Sequence, residues 1–162
     1  MQYREIKLDD KIYKLFTNDL TNSRKVIYCT DNCGEIVLDK LLIKYLTLYY
    51  PQLEIQVIVR GEEIGNDASI EDAENISMQE VAAFEGNGTT IAGTSLHLLS
   101  DELKKKFYKA DMIISKGQGN YETLSGSGLN IYYLFLCKCN HLQKIFLAKF
   151  LDPIFSMECE RR

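Results

Sequence analysis

Asp31, Asn32 and Asp67 are three side-chain oxygen donors, with Asn66 offering a fourth. Hard divalent cations take such ligands, and Mg²⁺ or Mn²⁺ usually keep several waters besides. Lys116 and Lys138 add two cations, and the glycines of Lys116-Gly117-Gln118-Gly119-Asn120 expose backbone amides suited to an oxyanion. A helix starting just after Asn32 would aim further N–H groups the same way. A cation held between carboxylates and flanked by lysines is suited to phosphate, so the chemistry implied is phosphoryl or other anionic-group transfer.

Each feature also has a plain reading. Asp31 is an ordinary cap for a helix beginning near Gly34. Asn66-Asp67 is a turn before a helix, the 117–119 glycines serve a tight turn, and Lys138 is a surface lysine. His97 precedes one helix and His141 begins another, so a Ser-His-Asp or Cys-His arrangement has no support. Tyr49-Tyr50 and Tyr132-Tyr133 are expected in the core. The thiols Cys29, Cys33, Cys137, Cys139 and Cys159 match no common zinc-knuckle spacing, and read as reduced and buried or half-buried.

The elements that must position these residues follow from periodicity. Leu8, Ile12, Leu15, Phe16 and Leu20 predict an amphipathic helix over residues 8–20. Short β-branched runs predict buried strands over residues 25–30, 54–59, 111–115 and 130–137, with a weaker one over 81–84. Between them lie helices over 35–49, stopped by Pro51, and from Ser100 to Tyr108, and Ser69-x-x-Asp72 opens a short one. Residues 86–94 and 116–120 are expected as loops, and 140–150 as helix. Short strands alternating with helices mean an α/β domain: a three-layer, mainly parallel, Rossmann-like sheet with helices on both faces. Ligands of such sheets bind outside the carboxyl ends of the strands. The segments carrying Asp31-Asn32, Asn66-Asp67, Lys116 to Asn120 and Lys138 all follow strands, so they should converge on one rim.

With 162 residues and 18.6 kDa, 46% hydrophobic and 26% charged, the chain has the size and composition of one soluble domain. A net charge of −4 lacks the basic footprint of a duplex nucleic-acid binder. The longest apolar run, Ile131 to Cys137, is far short of a membrane span. The polar start Met1-Gln2-Tyr3-Arg4-Glu5 is no signal core, so a cytoplasmic location is expected. The helix from Ile36 to Tyr49 is apolar around much of its circumference and must be buried against something, which predicts a homo-oligomer, or else marginal stability as a monomer.

Asp31-Asn32-Cys33-Gly34-Glu35-Ile36-Val37-Leu38-Asp39 resembles the D-N-A-G-E-x-x-x-D signature of the damage-control phosphatase family, also known as domain of unknown function eighty-nine. Val59-Arg60-Gly61, Asn66-Asp67-Ala68, Glu71-Asp72-Ala73, Gly93-Thr94-Ser95-Leu96, Lys116 through Leu124, and Lys138-Cys139 resemble its later blocks in order. The resemblance spans roughly residues 25–140 and is nearest to the shorter bacterial and archaeal type. It implies a metal-dependent phosphatase, active with Mn²⁺, Mg²⁺, Co²⁺ or Ni²⁺ on phosphomonoesters of small metabolites, such as sugar phosphates or damaged phosphometabolites. By the same resemblance Asp31, Asn32 and Asp67 would hold the metal. Lys116, Gly117, Gln118, Gly119 and Asn120 would hold the phosphate with Lys138, and Glu35 would orient a ligand or water. Cys33 stands where the family has alanine, and Glu62-Glu63-Ile64 where it often has a proline-containing run. Against the family pattern, residues 1–162 read as the metal-binding core alone, without the N-terminal helical region and without a strand beyond Lys138-Cys139.

Three rivals use the same features. A receiver-type module would want an acidic pair where Asp31-Asn32 stands. A methyltransferase-like nucleotide-cofactor enzyme would want G-x-G-x-x-G after the first strand. A catalytically inactive or truncated domain would bind metal or phosphate without turnover.

Overall fold

The computed structural model of the chain describes residues 8–158. Six strands form one sheet: β1 (Lys25–Cys29), β2 (Glu54–Val59), β3 (Ala83–Gly86), β4 (Met112–Lys116), β5 (Ile131–Leu136) and β6 (Pro153–Met157). Their order is β3-β2-β1-β4-β5-β6, parallel throughout except β6, which runs antiparallel to β5 at the edge. The helices are α1 (Asp10–Asn22), α2 (Ile36–Tyr49), α3 (Ile70–Asn75), α4 (Asp101–Lys109), α5 (Gln118–Leu124) and α6 (Asn140–Ile145).

Strand alternation splits the core in two. Val26 and Tyr28 point to the face covered by α1, α2 and α3, through Leu20, Ile36, Ile43, Leu46 and Ala73. Ile27 and Cys29 point to the opposite face, covered by Leu103 and Phe107 of α4, Leu124 of α5 and Leu142 of α6. The sheet is thus the middle of three layers, as the alternation of elements requires.

The chain leaves β1 toward β2 and β3 on one side, and continues through β4 and β5 on the other. Between β1 and β4 lies the point where the winding direction reverses, which is where doubly wound sheets open a crevice for ligands. Cys29 pairs with Ile58 on one side and Ser115 on the other. That register puts Thr30-Asp31, Arg60 and Lys116-Gly117 side by side on one rim.

Several details depart from expectation. Of the loop expected over 116–120, residues 118–120 instead open helix α5, with Gly117 as its N-cap at φ +84°. The expected helix over 140–150 ends at Ile145, and Leu147 and Leu151 take positive φ. Ile154, Phe155 and Met157 then form β6, a strand the sequence pattern had hidden, so the expectation of no strand beyond Lys138-Cys139 is overturned. Pro153 fits because it opens an edge strand, where no ladder donor is needed. Tyr132 and Tyr133 are buried as expected, but Tyr49 is 64% exposed and stacks on Tyr45 instead. The four described cysteines are free, and Cys159 lies outside the described residues. Among the described residues no helix is long and apolar enough to cross a membrane.

Candidate active site

Asp31 follows the end of β1 and is half-buried. Its backbone is fixed by the Ala68 N–H, which donates to the Asp31 carbonyl at 2.7 Å. The side chain is not a helix cap: Glu35 holds the N-cap position of α2, and no side chain caps that end. The Asp31 carboxylate lies instead against the backbone of Gly117, where a Cβ would fall on it. No described residue donates a hydrogen bond to its oxygens. Burial raises its pKa first, then the negative charges of Asp67 and Glu35, with Lys138 and Arg60 pulling the other way.

Asn32 and Asp67 are brought together by an isolated antiparallel bridge between their backbones. Asn32 Oδ1 accepts the Gly34 N–H at 2.7 Å. Asp67 spends Oδ2 on Arg60, whose Nε donates at 2.7 Å. Arg60 is buried at the end of β2 and also donates from Nη1 to Gly93 O (2.6 Å), Thr94 Oγ1 (3.1 Å) and Asn120 Oδ1 (3.3 Å). One guanidinium therefore locks the Asp67 carboxylate to the glycine-rich loop and to α5. In the sequence Arg60 is one residue of the Val59-Arg60-Gly61 motif and carries no assigned role, since its partners lie up to 60 residues away.

Asn120 is fully buried and its amide is saturated. Nδ2 donates to Thr30 O (2.9 Å) and Lys116 O (2.7 Å), while Oδ1 also accepts from Thr94 Oγ1 (2.8 Å). It stitches the ends of β1 and β4 together, so it is a brace under the rim and not a phosphate donor. Gly119 likewise sits against Gly93, and its carbonyl accepts from Thr123 Oγ1 at 2.8 Å.

The remaining expected residues border one open cleft of about 610 Å³, lined by Asp31, Glu35, Lys116, Gly117, Gln118 and Lys138 among others. Asn32 and Asp67 are not among the residues lining that cleft and adjoin Asp31 from the β2 side. Lys138 is exposed, and its backbone N–H donates to Gln118 Oε1 at 2.9 Å. Lys116 is not the free rim lysine that its place after a strand predicts. Its side chain is 17% exposed, and its Nζ donates to Asp39 Oδ1 at 2.9 Å and Glu35 Oε2 at 3.1 Å. Burial works against its charge, yet Asp39 and then Glu35 outweigh it and hold the ammonium above its ordinary range.

A divalent cation suits this donor set. Asp31 has oxygens without described donors, Asp67 has one carboxylate oxygen beyond its bond to Arg60, and the negative charges of Asp67 and Glu35 both act on Asp31. Among the described residues no three His, Cys, Asp or Glu side chains converge on one point. Two carboxylates and an amide oxygen, completed by water, are what Mg²⁺ or Mn²⁺ accepts.

The model of the damage-control phosphatase ARMT1-like domain matches residues 1–149. The chain belongs to this family. It is 35% identical over 140 residues to a damage-control phosphatase of Pyrococcus horikoshii, covering 83% of this chain and 48% of that protein. To a damage-control phosphatase of Archaeoglobus fulgidus it is 40% identical over 120 residues, covering 73% and 41%. To an uncharacterized protein of Methanocaldococcus jannaschii it is 38% identical over 141 residues, covering 83% and 45%. The crystal structure of a DUF89 family protein of P. horikoshii superposes with a TM-score of 0.84 at 30% identity, over 96% of this chain and 54% of that one. The chain therefore spans about half the length of the relatives it matches.

Proposed function

We propose that this chain carries the active centre of a metal-dependent phosphatase that hydrolyses phosphomonoesters of small metabolites. One observation carries the reading: at the β1/β4 switch point, an Asp31 carboxylate without described donors shares a cleft with the ammonium groups of Lys116 and Lys138. The names of the Pyrococcus and Archaeoglobus relatives point the same way.

Asp31, Asn32 and Asp67 would hold the cation. When bound, it supplies Lewis-acid polarisation of a phosphoryl oxygen and neutralises charge. Arg60 keeps the Asp67 carboxylate turned in one direction through its 2.7 Å bond. Lys116 and Lys138 supply positive charge where the equatorial phosphoryl oxygens become more negative in the transition state. Glu35 stands at the mouth of the cleft, half-exposed, where an acceptor orients a water or a substrate hydroxyl. Asn120, Thr94 and Arg60 hold the rim rigid beneath these groups, which keeps the donors preorganised.

The test is a panel of phosphomonoesters assayed with Mn²⁺, Mg²⁺, Co²⁺ and Ni²⁺, for the wild type and Asp31→Asn. Turnover is expected only with added metal, and Asp31→Asn should lose it. Full activity after exhaustive chelation would overturn the metal dependence. Metal binding without turnover on any ester would leave a binding domain in place of an enzyme.

A further inference from the structure

Asp39 is a carboxylate where packing asks for an aliphatic residue. It lies on the inner face of α2 with Ile36, Ile43 and Leu46, and its side chain is only 3% exposed. Charged groups buried to this degree are paired or serve some other purpose, and an apolar residue of similar volume often stabilises as well or better. One oxygen, Oδ1, accepts from Tyr28 Oη at 2.7 Å and from Lys116 Nζ at 2.9 Å. The other, Oδ2, is buried with no hydrogen-bond partner. An orphaned buried acceptor is a cost the fold rarely accepts. Here it goes with a charge that the α2–sheet contact does not need.

What that charge does is fix Lys116. Tyr28 comes from β1, Lys116 from β4 and Asp39 from α2, so the three elements that meet at the switch point each contribute one member. An ammonium has three N–H donors. Asp39 takes one from inside and Glu35 takes a second from the cleft mouth, which leaves the third for the cleft that Lys116 lines. The two acceptors are unequal. Glu35 is 50% exposed, and a bond to so exposed a carboxylate contributes little. An incoming anion replaces it readily, whereas nothing replaces Asp39.

We propose that Asp39 is a positioning residue for the phosphatase reaction: from the core it holds the Lys116 ammonium, charged and fixed, at the phosphoryl group. Tyr28 fixes Asp39 in turn, and Glu35 is the exchangeable partner that a phosphoryl oxygen displaces. This rests on the phosphatase reading above, so its test has one arm that needs no catalysis.

In the first arm, p-nitrophenyl phosphate hydrolysis with Mn²⁺ is measured for Asp39→Asn, Lys116→Ala and the double variant of the full chain. Each single change should lower kcat by about 100-fold, the usual cost of losing a preorganised charge donor. The double variant should be no slower than Lys116→Ala, because Asp39 acts only through that lysine. Multiplying losses would overturn the proposal and make Asp39 a residue of the fold alone. In the second arm, acylation of Lys116 by an amine-reactive ester is followed by peptide mass spectrometry. Asp39→Asn should speed it several-fold, because a lysine freed from its buried carboxylate partner reacts more readily. An unchanged rate would overturn the proposal. If the wild type hydrolyses no ester with any metal, the phosphatase reading fails while the acylation arm still decides whether Asp39 holds Lys116. Should Asp39→Asn not melt cooperatively, Tyr28→Phe replaces it in both arms, with smaller effects that vanish from kcat on the Lys116→Ala background. Effects that persist there would overturn the proposal.

Discussion

Gly117 sits at φ +84° and ψ 153°, a backbone region open in practice only to glycine, and a Cβ there would fall on the Asp31 carboxylate. Gly117→Ala therefore meets two penalties. The backbone term is about 1–3 kcal/mol. The steric one pushes the β4–α5 junction and Asp31 apart. Gly126 separates them: it has φ +83° with nothing near its missing Cβ. Both alanine variants should lower the urea midpoint. Only Gly117→Ala should also weaken Mn²⁺ binding by calorimetry, by roughly tenfold or more. Equal Mn²⁺ affinity in the two would show that Asp31 holds no metal. The residues of the proposed site were legible in the sequence to different degrees. Asp31, Asn32, Asp67 and Lys138 follow strands, where position alone draws attention. Arg60 and Asp39 stand inside the family motifs, but their roles were not legible, because what each charge is bonded to depends on residues distant in sequence. Asn120 misled in the opposite sense: a polar residue in a glycine turn reads as a ligand donor, but its amide is spent on Thr30, Lys116, Thr94 and Arg60.

Among the elements, β1 lies at the centre of the sheet and leads into Asp31-Asn32, and its start is tied down by Asp111, the residue before β4. The Arg24 and Lys25 N–H groups donate to Asp111 Oδ2 at 2.9 and 2.8 Å, and the Asp111 N–H returns a bond to the Lys25 carbonyl at 2.9 Å. These backbone bonds, from Lys25 first and Arg24 next, hold the Asp111 pKa below its ordinary value. A lowered folded-state pKa means that the native state binds protons less readily than the unfolded chain. The stability it contributes is present above the ordinary aspartate range and is lost as pH falls through the lowered value. Asp111→Asn should reduce Tm by about 2–4 °C at neutral pH, with the gap to wild type closing in acid. A gap that persists in strong acid would locate the effect elsewhere. Strand existence was read correctly wherever β-branched runs were continuous, as in β1, β2, β4 and β5. The misses were β6, α5, the end of α6 and the bounds of β3. Pro153 disguised an edge strand, and Gly117-Gln118-Gly119 disguised a helix that begins inside a glycine motif, where tertiary bonds from Asn120 outweigh local propensity.

At the scale of the molecule, the sheet is covered on both faces, but among the described residues nothing covers the outside of α2. Leu38, Leu41, Tyr45, Leu48 and Tyr49 run along it in a continuous apolar stripe, Leu48 being 71% exposed and Leu38 66%. Scattered apolar residues on a surface need no explanation, whereas a contiguous stripe over about three turns of helix does. The buried side of α2 already fills its place through Ile36, Ile43 and Leu46, so the outer stripe contributes nothing to the core as it stands. The stripe carries no acidic group and suits a second apolar helix better than a charged partner. A second copy of the same helix, packed across a twofold axis, would provide that with each stripe facing its equal. The chain should therefore exceed its 18.6 kDa monomer mass in light scattering after size exclusion. Leu41→Lys with Leu48→Lys should return it to the monomer mass. Because both side chains are exposed, each change should alter unfolding free energy by no more than roughly 0.5 kcal/mol. A wild-type chain that stays monomeric at high concentration would remove self-association as the cover for this face. If the double variant both dissociates the assembly and keeps its phosphatase rate per chain, the active centre is complete within one copy and α2 serves assembly alone. If the rate falls with the mass, pairing of α2 steadies Glu35 at its N-terminus, and with it the Lys116 ammonium at the cleft.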